Sequence, residues 1–191
     1  MRKTLFQKTA KYDGQKADSS FYDGMEADGF LYQLVEGVLH MAPSPKPIHQ
    51  ELLWHISGLF YNFLRDHNVG RFYFAPFDVE LNEKNIVQPD LLFVSKHRLG
   101  IITDKRVVGA PDLLIEILSD SSKDMDRVIK YGLYERSGVR EYWIIDPDSQ
   151  SFSFYQLEKQ RYREIPVDGE YESIVLSPFR IEPEKFWQSL K

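Results

Sequence analysis

No cysteine occurs among the 191 residues. That excludes a disulfide framework, thiolate zinc sites and a cysteine nucleophile. It accords with a reducing compartment. No apolar run approaches the roughly 20 residues needed to span a bilayer. The start, MRKTLFQKTAKYDGQKADSS, has two early positive charges but no apolar stretch behind them. A signal peptide is therefore not expected, and a soluble, cytoplasmic protein without a membrane partner is. Positive charge is also scarce: the net charge is -5. That argues against coating nucleic acid through bulk charge. It leaves open a nuclease, whose metal site is acidic and whose phosphate contacts are local. Internal repeats and low-complexity tracts are absent too.

What the chain does have is ordinary globular composition, with 42% hydrophobic and 28% charged residues. Its length is that of one domain. Residues 1 to 30 are polar and glycine-interrupted and read as a loosely attached extension, with the domain spanning 31 to 191. LYQLVEGVLHM reads as two short strands turning at Glu36-Gly37. Three prolines in APSPKP then break any regular element. From Ile48 to Asp66, Leu52, Leu53, Ile56, Leu59, Phe60 and Phe63 recur at helical spacing. Phe72–Leu81, Ile86–Ser95 and Asp112–Ser119 read as strands. Ser121–Arg136 reads as a helix capped by Ser121 or Ser122 and stopped by Gly138. Glu141–Asp146 is a further strand and Ser151–Glu164 a hairpin. The tail from Ser177 is mostly loop, with a short helix near Glu184–Leu190. This order predicts an α+β (α/β) mixed sheet flanked by helices, with a βαβ crossover between DLLIEILS and EYWIID.

The informative residues are acids inside apolar runs. Glu116 sits within Leu113-Leu114-Ile115 and Ile117-Leu118. Left isolated there, a carboxylate would cost several kcal/mol. It must be paired, protonated or bound to a cation. Asp90 stands between Val87 and Leu91-Leu92-Phe93-Val94, after a proline that lacks a ladder donor. It is expected at a sheet rim. Two carboxylates on adjoining strands suit magnesium or manganese; equally, each could be half of a structural ion pair. On the following helix, Asp126 and Lys130 form an i, i+4 pair. Either it is an ordinary surface pair, or Lys130 points back at Glu116 and orients a water.

The ordered set then becomes specific: Pro89-Asp90, GAPDLLIEILS at Gly109–Ser119, D-x-x-x-K at Asp126–Lys130, Tyr134, and GVREYWIIDP at Gly138–Pro147. With LVEGVLHMAPSP and His49 ahead of it, the chain resembles the Uma-two family of restriction-endonuclease-like proteins, a branch of the PD-(D/E)xK nuclease superfamily. The resemblance covers roughly residues 30 to 160. It implies a restriction-endonuclease-like core and a Mg²⁺ or Mn²⁺ site at Asp90, Glu116 and the Ile117 carbonyl. Leu118 stands where the superfamily carries its lysine, a departure shared by the family, so Lys130 is implied as the displaced lysine. Glu36 resembles a further acid near the site. Where family members often carry Tyr-Glu before it, this chain has Tyr32-Gln33, and less weight falls on Gln33. Asp126 would orient Lys130, and Glu51 on the first helix could face the site. The implied reaction is hydrolysis of a phosphodiester bond in DNA; the alternative is a non-catalytic binding or assembly protein of the same fold.

For gripping DNA, the linker SKHRLGIITDKR carries Lys96, Arg98, Lys105 and Arg106 against Asp104. It joins the two acid-bearing strands and could flank the cleft, or be a solvated loop. The N-terminal Arg2, Lys3, Lys8, Lys11 and Lys16 are a weaker candidate. Lys159, Arg161 and Arg163 read as a wet, protective sheet edge. His49 and His55 read as satisfied polar residues, Trp143 as core, and Glu141 and Asp146 as strand-end caps or pairs. A homodimer is expected, because cutting both strands calls for twofold symmetry.

Overall fold

The structure is a computed structural model, described here for residues 9–190. Arg2, Lys3 and Lys8 of the basic N-terminal arm lie outside the described residues. A six-stranded sheet carries the centre of the molecule, in the order β11-β10-β9-β8-β6-β3. Its strands are β3 (Gly70–Phe74), β6 (Leu91–Ser95), β8 (Leu113–Ile117), β9 (Glu141–Asp146), β10 (Ser151–Glu158) and β11 (Arg161–Glu164). All neighbours are antiparallel except β8 and β9, which run parallel. The chain between those two contains helix α3 (Tyr131–Ser137), preceded by a π-helical stretch at Met125–Lys130. This is the expected βαβ unit.

Every residue of β6, β8 and β9 is buried, as expected for strands covered on both faces. The period of two divides them cleanly. Leu91, Phe93, Leu113, Ile115, Ile117, Trp143 and Ile145 pack with helix α2 (Pro47–Asp66) in one core. Leu92, Val94, Leu114, Leu118, Tyr142 and Ile144 pack with Leu133 and Tyr134 of α3 in the other. Glu116 shares the parity of the second set and belongs to the α3 side of the sheet, while Asp90 sits just ahead of β6 at the sheet's end.

Helix α2 begins at Pro47, whose missing N–H is no loss at the first helical position. Leu52, Ile56 and Phe60 are its buried stripe. Leu59, expected in that stripe, is exposed. The helix of α3 stops at Gly138, which adopts the left-handed conformation with φ 83°. Ser122 does not cap a helix amide; its hydroxyl accepts from the Ser119 N–H at 3.1 Å.

A second sheet runs β2-β1-β5-β4-β7. It is built from β1 (Tyr32–Val35), β2 (Val38–Met41), β4 (Val79–Asn82), β5 (Asn85–Val87) and β7 (Val107–Val108). The β1–β2 turn is the expected Glu36-Gly37, with φ 51° and 74°, the double positive φ of a type I′ hairpin. Two segments read as single strands are each divided between the sheets. Phe72–Leu81 becomes β3 and β4, and Ile86–Ser95 becomes β5 and β6. The breaks fall at Ala75-Pro76 and at Gln88-Pro89-Asp90, where proline removes a ladder donor. The described part of the N-terminal extension is packed on this second sheet. Tyr12 is buried with Tyr32, Leu34, Leu39 and Ile86, Lys16 bridges Val38, and Ser19–Asp23 forms the short helix α1. At the other terminus, β12 (Tyr171–Glu172), β13 (Arg180–Ile181) and helix α4 (Pro183–Gln188) lay Phe179, Ile181, Phe186 and Trp187 over the α2-side core.

Candidate active site

Because β6 and β8 are antiparallel, with Leu91 opposite Ile115, Asp90 and Glu116 come together at one end of the sheet. Both line a cavity of about 690 Å³, together with Ile117, Asp126, Lys130, His49 and the Gln33 and Gln88 side chains. Glu116 is buried. Its Oε1 accepts from the Lys130 ammonium at 3.0 Å and from the Tyr134 hydroxyl at 2.7 Å. Asp126, Lys130 and Tyr134 stand at successive four-residue steps, so one helix face delivers all three. Lys130 Nζ is also 3.1 Å from Asp126 Oδ1. That contact lacks hydrogen-bond geometry, and Oδ1 is left without a donor among the described residues. Asp90 Oδ2 accepts from the Ile117 N–H at 2.7 Å and faces His49 Nε2 at 3.1 Å.

The charges are out of balance. Burial first, then the nearby Asp126 and Asp90 charges, push the Glu116 carboxyl up to about 8, against the opposing pull of Lys130. Burial alone would lower Lys130, but Asp126 and Glu116 hold its ammonium well above its ordinary value. Burial would also lower His49; the Asp90 hydrogen bond and charge outweigh that and raise it.

Among the described residues no three His, Cys, Asp or Glu side chains form a metal-holding group. The oxygen ligands lining the cavity are instead the two carboxylates of Asp90 and Glu116, with Ile117 beside them. These are hard oxygen donors, carried with a third carboxylate against one buried lysine. That set fits a small divalent cation in chemistry and in charge.

Other expected residues lie elsewhere. Glu36 does not reach the cavity: its side chain is half exposed and pairs with Arg136. The hairpin turn points it outward, and Gln33, two residues into β1, lines the cavity in its place. Gln33 Oε1 accepts from the Gln88 N–H at 3.0 Å. Glu51 is exposed and outside the cavity; Gln50, Leu53, Trp54 and Ser57 are the α2 residues that line it with His49. The basic linker joins β6 and β8 at the end away from Asp90 and Glu116, a strand length of about 17 Å. Within it, Arg98 pairs with Asp112 at 2.9 Å, and buried Arg106 pairs with Glu80 and Asp23. Of its four lysines and arginines, Lys96 and Lys105 are the exposed ones. Arg161 pairs with Glu135, consistent with a surface edge.

His49 and Tyr134 are the contributors that residue reasoning missed. His49 had a signal. It precedes Leu52, Leu53 and Ile56 by three, four and seven positions, so it sits on the buried face of α2. A polar residue there, beside a carboxylate, is placed rather than incidental.

The family described as "Uma2: Putative restriction endonuclease" matches residues 20–183, and the chain belongs to it. The structure is similar to a solved one titled as a "putative nuclease belonging to DUF820" from Anabaena variabilis ATCC 29413. The two share a TM-score of 0.70 and 18% identity, over 90% of this chain and 97% of that one. At this identity the likeness shows the fold. No curated protein matches the chain significantly. Among the described residues, no helix is long and apolar enough to cross a membrane.

Proposed function

We propose that the protein is a divalent-metal-dependent endonuclease that hydrolyses phosphodiester bonds of DNA. One observation carries this reading. Asp90 and Glu116, brought from separate strands, face one cavity with Lys130 at 3.0 Å from Glu116. Asp90, Glu116 and the Ile117 carbonyl would hold Mg²⁺ or Mn²⁺. When bound, such an ion polarises a phosphate and acidifies water. Lys130 offsets negative charge building on the phosphate and positions the attacking water. Asp126 holds Lys130 in place from the preceding turn. Tyr134 orients Glu116, and His49 orients Asp90. On the twofold symmetry that cutting both strands calls for, we place the reaction in a homodimer.

The experiment is calorimetric titration with Mg²⁺ and Mn²⁺, run beside cleavage of DNA, on the wild type and on Glu116→Gln. Metal binding and cleavage by the wild type, both lost in the variant, support the reading. No metal binding by the wild type sinks it. A second reading, a nucleic-acid-binding protein without turnover, is favoured by one observation: Glu116 is already engaged by both Lys130 and Tyr134. Metal bound without cleavage would select it.

A further inference from the structure

The mouth of the cavity is built of chemistry that phosphate hydrolysis does not require. Trp54 of α2 lines it and is 73% exposed, Phe74 at the end of β3 is 60% exposed, and Leu31 ahead of β1 is 51% exposed. Three separate elements thus present large apolar side chains to solvent at one opening. Such convergence marks a binding surface, whereas scattered exposed apolar residues do not. Phe74 pairs in register with Leu91, which places it next to the Asp90 crossing. Trp54 lies one helical turn beyond Gln50 and two beyond Pro47. Its only ring contact among the described residues is T-shaped, with His55 at 5.0 Å.

The charges around this opening run the other way from those of a duplex-gripping cleft. The lining carries four carboxylates, Asp90, Glu116, Asp120 and Asp126, and two lysines. Both lysines are already paired, Lys130 with Glu116 and Asp126, and Lys46 with Asp120 at 2.5 Å. A divalent ion would offset the surplus of acid but leave no excess positive charge. Duplex DNA presents one negative charge per roughly 1.7 Å of axis and is held chiefly through lysine and arginine. The exposed cations of the linker stand at the far end of the strands. Exposed aromatic faces at the opening instead suit unpaired bases, which stack on aromatic rings whatever their sequence.

We infer that the site takes single-stranded nucleic acid, or an unpaired stretch of it, with Trp54 and Phe74 as stacking platforms that seat the bases beside Asp90 and Glu116. This inference rests on the nuclease reading for the identity of the polymer and deepens it. Trp54 and Phe74 determine which substrate binds, and the acids act on it.

The test uses the full chain carrying Glu116→Gln, without added divalent metal, at low salt. It is titrated with a single-stranded oligothymidylate and, separately, with a blunt mixed-sequence duplex. Binding is read in every variant from the fluorescence anisotropy of a dye-labelled oligonucleotide; Trp143 and Trp187 are buried, so where Trp54 is present quenching of tryptophan emission also reports Trp54. We expect the single strand to quench emission and to bind at least about tenfold more tightly than the duplex. Adding Trp54→Ala should weaken single-strand binding roughly ten- to hundredfold. Trp54→Phe should restore it to within about threefold, and Phe74→Ala should weaken it in the same sense. Exposed side chains carry little fold stability, and an unchanged melting temperature in each variant checks this. Equal or tighter duplex binding, or single-strand binding unmoved by Trp54→Ala, overturns the inference. So does self-association on sedimentation that Trp54→Ala abolishes, because the opening would then be a contact between copies. Failure of the nuclease reading looks different: the wild type would bind the single strand through Trp54 and cut nothing in Mg²⁺ or Mn²⁺.

Discussion

The strands β6, β8 and β9 carry buried acids at both ends, and the two ends have opposite characters. At one end Asp112 accepts from the Ser95 amide at 2.9 Å and hydroxyl at 2.8 Å and pairs with Arg98. Beside it Glu141 accepts from Trp143 Nε1, the Tyr171 hydroxyl, the Ser173 hydroxyl and the Val175 amide, at 2.6 to 3.2 Å. Neither lines the cavity. At the other end Asp90 and Glu116 open onto it, crowded by Asp126 and served by one buried lysine. A buried carboxylate is therefore not by itself a sign of chemistry. Burial raises the Glu141 carboxyl above its ordinary value, but four neutral donors oppose that and no like charge adds to it. Glu116 has like charges for neighbours and a route to solvent, and that pairing of unbalanced charge with access separates a site from a strut.

The largest expected effect is at the open end. Glu116→Gln should reduce cleavage by about 10³-fold or more, while its melting temperature holds or rises, because an ill-balanced buried charge has gone. Cleavage and thermal unfolding measured on the same preparation check both halves. The closed end should respond in the opposite way. Glu141→Ala strands four donors, which should destabilise the fold on the order of 3 kcal/mol. For a chain of this size that is roughly a 10 °C fall in melting temperature. Cleavage per folded molecule should stay within about threefold. A large activity loss in a fully folded Glu141→Ala would erase the distinction between the two ends.

Asp112 and Glu116 predict opposite slopes of stability with pH. Burial would raise Asp112, but the Ser95 hydrogen bonds and Arg98 hold it below its ordinary value of 3.8. Its contribution is present above that value and lost as pH falls through the lowered one. Glu116 is raised, chiefly by burial, from 4.5 to about 8. Between those values the native state binds the proton more tightly than the unfolded state, so stability falls as pH rises across that window. Urea unfolding across pH should show the acid limb flattened in Asp112→Asn and the neutral limb flattened in Glu116→Gln. Saturating Mg²⁺ should flatten the neutral limb of the wild type as well, if the ion binds where we propose. A neutral limb that Glu116→Gln leaves unchanged would assign the slope to another group.

Much of the fold could be read locally. The apolar run around Glu116, the α2 stripe, the Glu36-Gly37 turn and the Gly138 stop are all written within a few residues of where they act. Asp90, Glu116, Asp126 and Lys130 were legible as a set because each sits in, or follows, a run whose burial makes a charge conspicuous. What the sequence hid is long-range. Phe72–Leu81 and Ile86–Ser95 keep an apolar pattern straight through, so only Pro76 and Pro89 hinted that the chain changes sheets. Glu36 was correctly placed in its turn, but its partner Arg136 lies 100 residues away. His49 was passed over because one histidine on an apolar helix face says nothing of the strand that will meet it.

The linker from Lys96 to Arg106 shows the same limit and supplies the smallest predicted effect. Its charge was countable, and so was the fact that it connects the two acid-bearing strands. Which ends it connects depends on β6 and β8 pairing antiparallel, and no local pattern states that. Since it joins the ends away from the cavity, and since Arg98 and Arg106 are spent on Asp112, Glu80 and Asp23, only Lys96 and Lys105 are available to a ligand. The double substitution Lys96→Ala, Lys105→Ala should change cleavage of a short oligonucleotide by less than about twofold, in line with the small worth of exposed charges. The same substitution should leave the salt dependence of binding nearly unchanged, because few phosphate contacts are lost. A salt slope that falls by about two would mean that nucleic acid reaches past the open end and is held at both.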